Sequence, residues 1–339
     1  MQSYRMPAEW EPHAAIWLAW PDNKDTWPEN LVAAQLEFTA LAHSLAEFVP
    51  VHVLVNERSL GVAKRNLIRP DTANVYLIDI ATNDAWVRVY GPTFVIGQDQ
   101  KLAALNWRYN AWGGKYPPFD LDQAVGKKVA DGLGLQCLDP ELCLEGGAVE
   151  TNGQGIVLST RSCASDENRN ADVPADQRLA VFEAAFEKYL GANSTVWLPG
   201  DAVAGDDTDG HIDQLARFVS ETTIVYAWSQ ESDPQHEALR ANLDALKQGL
   251  EHLGEFKLIP LMIPEPVTAF GRRVPASYCN FLITNELVIV PQFGVPEDAA
   301  AVETIKSFFD ERYVIGLPSR NLSVGLGSFH CLSQQVPRC

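Results

Sequence analysis

The strongest constraint on the fold is a rhythm of alternating elements. Segments with helical apolar periodicity begin near Pro28, Asp120, Ala175, Asp233 and Pro296. In the third, Leu179, Phe182, Phe186 and Leu190 recur at spacings of three and four, which places them on one face. The later starts are evenly spaced (175−120=55, 233−175=58, 296−233=63), whereas the first interval is longer (120−28=92). Strand-sized apolar runs lie between them, at 51–55, 75–78, 155–158, 223–226 and 288–291. Each strand-rich interval feeds one helix. The expectation is an α/β chain of about five related ββαβ-type units, forming a single domain over 1–339 with no Ser/Gly linker or charge block to divide it. A doubly wound sheet also alternates strands and helices. No G-x-G-x-x-G follows a strand, however, so the dinucleotide fingerprint is absent.

Composition narrows the partners. Hydrophobic residues make up 46% and charged residues 21% of 339, as in ordinary globular chains. The net charge of −18 repels nucleic acid and anionic membrane and favours a small cation, although the same charge also serves solubility. The opening seven residues have no apolar run behind their charge, and the longest apolar runs, such as 287–290, are strand-sized. A soluble cytoplasmic protein is expected, with no nucleic-acid or membrane partner. Its assembly is open, with a homodimer as the form to test. Six cysteines without a C-x-x-C give neither a disulfide scaffold nor a structural zinc site.

Four segments carry residues suited to chemistry. Cys331 follows the glycine-containing run 325–328, where the backbone can turn before a short strand and present a thiol to a cavity. Taken alone, that segment also fits a core cysteine. Asp206-Asp207-Thr208-Asp209-Gly210-His211-Ile212-Asp213 is the densest polar cluster. On a strand, His211 and Asp213 would share a face, setting a proton carrier beside a carboxylate. H-x-D is also metal-ligand spacing, but no second histidine cluster completes such a site, so no metal is expected. Glu145 precedes Gly146 and Gly147, as in a tight turn. Trp86 precedes the Gly91-Pro92 turn.

Together these segments resemble the agmatine deiminase family, in the Porphyromonas-type peptidylarginine deiminase group of guanidine-modifying penteins. The resemblance runs from Met6-Pro7-Ala8-Glu9-Trp10-Glu11-Pro12-His13 through Trp86–Thr93, Leu144–Gly147, Asn168-Arg169-Asn170 and Trp197-Leu198-Pro199. It continues through the Gly-His-x-Asp, Ser277–Phe281 and Val290–Gly294, and ends at His330-Cys331-Leu332-Ser333-Gln334-Gln335. It implies a five-bladed α/β propeller with the active centre on its pseudo-fivefold axis. It also implies hydrolysis of agmatine to N-carbamoylputrescine and ammonia. No cofactor is implied, because the cysteine supplies the chemistry. By this resemblance Cys331 attacks the guanidinium carbon as thiolate. His211 protonates the departing ammonia and then activates water, with Glu145 assisting it. Asp213 holds the guanidinium and Trp86 packs on its plane. Asn280 and Gly147 lie near the centre, and Asp207 is placed to hold a primary amine.

The chain departs from the family at one position. Family members read R-D-x-G-P where this sequence reads Arg88-Val89-Tyr90-Gly91-Pro92. Val89 stands where a second guanidinium-binding aspartate is expected, which predicts reduced activity on agmatine. Asp84, five positions earlier on what reads as an extended run, looks like a different site. A modified guanidine or peptidylarginine as substrate, or an amine-binding pseudoenzyme, are the alternatives that Val89 raises.

Overall fold

The computed structural model describes residues 4–70, 72–200 and 202–339. Five sheets share one wiring, in which an antiparallel pair is followed by a parallel strand reached through a helix. Thr93–Gly97 pairs antiparallel with Leu102–Leu105, which pairs parallel with Gln136–Leu138 after the helix Val125–Leu133. Glu150–Thr151, Ile156–Thr160 and Ser194–Leu198 repeat this around Arg178–Ala185. Ala216–Ser220, Thr223–Trp228 and Lys257–Met262 repeat it around His236–Leu250. Leu282–Ile283, Leu287–Gln292 and Tyr313–Pro318 do so around Asp298–Lys306. A helical crossover is the usual way to join parallel neighbours, which explains the sequence rhythm.

The remaining sheet uses both ends of the chain. Ser333–Pro337 pairs antiparallel with His13–Ala19, which pairs parallel with Val51–Leu54 after the helix Leu31–Ala46. An extra helix, Leu60–Leu67, then leads to a fourth strand, Val75–Ile78. This insertion accounts for the long first interval. The five-unit α/β expectation therefore matches the sheets. The central strands are apolar on both faces, as in Leu287–Gln292, where five of six residues are buried. No helix among the described residues is long and apolar enough to cross a membrane.

Candidate active site

Each sheet is entered through a tight turn, and these turns converge. They are the helical turn Val87–Tyr90 and the 3₁₀ turns Gly146–Ala148, Ile212–Gln214 and Tyr278–Asn280, joined by the turn at 329–332. Backbone bonds link neighbours in this ring: Arg88 N–H to Cys331 O at 3.2 Å, and His330 N–H to Asn280 O at 3.3 Å. Val89, Gly147, Asp213, Asn280 and Cys331 thus occupy corresponding places, one from each unit, and all are buried.

Cys331 is 4% exposed. Its Sγ lies 3.1 Å from the Asn280 amide nitrogen and 3.5 Å from Asp213 Oδ2. Burial and then the Asp213 charge push the thiol pKa well above its usual range. His211 Nε2 lies 3.4 Å from Glu145 Oε2. Burial opposes a charge on His211, but the bond to Glu145 and that carboxylate's charge outweigh it, so its pKa is raised. Glu145 is fully buried, yet Arg169 and His211 bring it down to about 2. Arg169 donates from Nε to both Glu145 oxygens at 2.9 Å, and from its other nitrogens to Asp209 and the Thr208 carbonyl. Burial also opposes the Asp213 charge, but the bond from His330 outweighs it and the pKa falls.

Above this floor lies a cavity of about 1270 Å³. Cys331, His211, Trp86, Val89 and Asp207 line it, whereas Glu145, Asp213, Asn280 and Gly147 are buried and are not among its lining residues. Trp86 packs on Trp27, with ring centres 5.4 Å apart. Asp207 accepts a hydrogen bond from the Tyr116 hydroxyl at the cavity wall.

Three local expectations are corrected. His211 and Asp213 are not on a strand, because His211 caps the 3₁₀ turn Ile212–Gln214 and Asp213 sits within it. They converge around Gly147, where a Cβ would stand 2.7 Å from His211 Nδ1 and 3.0 Å from Asp213 Oδ2. The run before Val89 is not extended, since Val87–Tyr90 is helical, and the bend carries Asp84 onto the same cavity. There its carboxylate accepts from Thr26 Oγ1 at 2.5 Å and from Ala85 N–H at 2.8 Å, and burial pushes it up to about 6. The turn before Cys331 is not made by its glycines, because the left-handed residue there is Leu326 (φ 74°). Gly327 instead gives room to Trp86, whose ring would lie 2.5 Å from a Cβ.

Sequence reasoning missed the buried ions behind the centre. Arg217 bridges Glu9 and Glu150, the latter at 2.9 Å, and His330 lies between Glu9 and Asp213. Among the described residues, Glu9, Glu150 and His330 form the one trio with metal-ligand proximity. The Arg217 guanidinium already supplies positive charge to both of its carboxylates. Glu9 and Arg169 lie inside quoted motifs, but nothing local in the sequence assigns either a partner.

Residues 5–337 match the Porphyromonas-type peptidyl-arginine deiminase family. An agmatine deiminase of Pseudomonas savastanoi pv. phaseolicola is 34% identical, over 98% of this chain and 95% of that protein. The solved structure of Enterococcus faecalis agmatine deiminase superposes with a TM-score of 0.91 at 30% identity, covering 99% of this chain and 96% of that one. A C. jejuni agmatine deiminase with substrate bound gives 0.90 at 28% identity, covering 99% and 97%. A dimethylarginine dimethylaminohydrolase, at 14% identity and a TM-score of 0.52, shares the fold alone. The five-bladed α/β propeller is thus the pentein fold, and the chain belongs to the agmatine deiminase family, within the Porphyromonas-type peptidyl-arginine deiminase group.

Proposed function

We propose that this chain is a cysteine-dependent hydrolase that converts agmatine and water to N-carbamoylputrescine and ammonia, with all five units acting as one catalytic domain. The observation that carries this reading is a buried thiol on a cavity floor, 3.5 Å from the Asp213 carboxylate, with the Glu145-paired His211 on the same floor. Without substrate, burial and Asp213 keep the sulfur protonated. A planar cation lying against Asp213 neutralises that repulsion, so the thiol gives up its proton to solvent and the thiolate is favoured. The sulfur then bonds to the guanidinium carbon. His211, charged through Glu145, gives its proton to the departing nitrogen, which leaves as ammonia. The same imidazole takes a proton from water as the oxygen attacks the thiouronium carbon. The carbon–sulfur bond breaks and the ureido product leaves. Trp86 covers the cation's plane, and Asn280 donates to the sulfur.

Val89 lowers the activity on agmatine, because one side of the cation meets a side chain that accepts no hydrogen bond. Loss of one partner from a buried charge pair costs about 2–5 kcal/mol. That corresponds to roughly 30-fold to several thousand-fold in rate. A second reading rests on the same wall. Val89, Trp86, Tyr109 and Trp112 line the cavity from one apolar cluster, which suits a guanidine carrying an alkyl group. The test is ammonia release from agmatine, arginine and N-methylated guanidines by the wild type and Cys331→Ala. Cys331-dependent release that is fastest with agmatine supports the first reading. Faster release from a methylated guanidine supports the second, and release that survives Cys331→Ala rejects both.

A further inference from the structure

His330 is the residue before the thiol, yet it faces away from the cavity lining. Its Nδ1 lies 2.8 Å from Asp213 Oδ2 and its Nε2 lies 3.0 Å from Glu9 Oε2. Carboxylate oxygens only accept, so the ring bonds both carboxylates by donating from both nitrogens. Glu9 is itself fixed. Its Oε1 accepts from Ile283 N–H at 2.7 Å, and its Oε2 accepts from Arg217. Arg217 is anchored in turn, by Glu150 at 2.9 Å, by the Cys279 and Phe281 carbonyls at 3.1 and 2.8 Å, and by the Phe281 ring. Every link is buried. At the far end, Asp213 Oδ1 is buried and has no hydrogen-bond partner. A buried carboxylate oxygen without a donor is costly, and a guanidinium N–H would satisfy it.

We propose that Glu9 and His330 are positioning residues. His330 ties down Asp213 Oδ2 so that the unpartnered Oδ1 is left for the reacting cation, and Glu9, held by Arg217, fixes the ring. The inference rests on the cation-holding role proposed above for Asp213. It gives the amino-terminal Met6–His13 motif a part in the reaction, although Glu9 does not line the cavity.

The test compares alkylation of Cys331 in the full-length protein by 2-chloroacetamidine, a planar cation, and by its neutral isostere 2-chloroacetamide. The sulfur displaces chloride from both, so the ratio of rates reports how well the cation is held and needs no turnover. At position 330, asparagine puts an amide donor near the place of Nδ1, and glutamine puts one near Nε2. The amidine preference of the wild type is expected to fall about 10- to 100-fold in His330→Gln, as one charge-assisted bond is lost. In His330→Asn, which keeps a donor for Asp213 but loses the one to Glu9, it is expected to fall less than in His330→Gln at the same thermal midpoint. An unchanged ratio in His330→Gln overturns the proposal, as does an equal loss in both variants that tracks their thermal midpoints. Should the His330 variants not fold, Glu9→Gln decides, because a ratio equal to wild type overturns the proposal and a lowered one supports it. A wild type with no amidine preference removes the role of Asp213 and the inference with it. A wild type that prefers the amidine yet releases no ammonia from agmatine rejects the agmatine reading and leaves this inference standing.

Discussion

The turns carrying Asp213 and Val89 occupy corresponding places in two of the five units, yet they are built differently. Behind Asp213 stands a line of buried ions, His330, Glu9 and Arg217, tied at each step to backbone or carboxylate. Val89 has only packing. It belongs to the same apolar cluster as Trp86, Tyr90 and Tyr109, and the neighbouring Arg88 keeps a buried Nη2 without a hydrogen-bond partner. The fold therefore carries an apolar wall at one of these turns and a buried carboxylate at the other. On the other side the carboxylate is woven into the structure. On the proposed function, a change at Val89 alters packing alone, whereas a change at Asp213 strains its supports.

The largest effect that would break this comparison is expected at the anchor. Arg217→Met leaves Glu9 and Glu150 buried without their cation and is predicted to cost about 3–5 kcal/mol of stability, read by denaturant unfolding. A loss below about 1 kcal/mol would show that the ions are dispensable. Asp213→Asn keeps the volume but removes the charge. It is predicted to lower kcat/KM by about 2–5 kcal/mol in transition-state binding. The same exchange at Asp84, whose carboxylate is already bound by Thr26 and Ala85, should cost less than about tenfold.

A third contrast concerns pH. Glu145 is held at about 2 in the folded protein, below its ordinary 4.5. The sign follows from proton binding. The unfolded chain takes up this proton first, so the Glu145 contribution is complete above about pH 4.5 and is lost as pH falls toward 2. The pKa difference amounts to roughly 3 kcal/mol. Arg169→Met should flatten this acid limb, and the limb can be read from thermal midpoints between pH 5 and pH 2. The smallest predicted effect on stability is at the wall. Val89→Asp places a carboxylate among apolar rings and should cost about 1–3 kcal/mol of stability, partly recovered when an amidine is bound.

Much of the architecture was legible because five helices and their strands bury periodic faces. The helix Leu60–Leu67 was not, since only Ala63 and Leu67 are buried, too few to set a period. Cys331, His211, Glu145 and Asp213 were singled out by motif, but their meeting depends on five turns with no residue type common to all of them. Gly147 separates His211 from Asp213 through the absence of a side chain, and sequence cannot say what a glycine makes room for. The ion line was illegible for a plainer reason. Glu9 and Arg217 stand 208 positions apart and Glu9 and His330 stand 321 apart, so no local pattern joins them. Asp84 was misplaced because Val87–Tyr90 was read as extended, and one helical turn brought it onto the cavity.

The most direct test of the central claim is kcat/KM for ammonia release from agmatine by wild type and Val89→Asp, each with a Cys331→Ala control. If the two turns face one cation and only one now carries its carboxylate, Val89→Asp raises kcat/KM by about 30-fold or more, and both controls are inactive. An unchanged or lower kcat/KM in a folded Val89→Asp protein would contradict the account, because the wall would then have diverged for something other than an agmatine guanidinium.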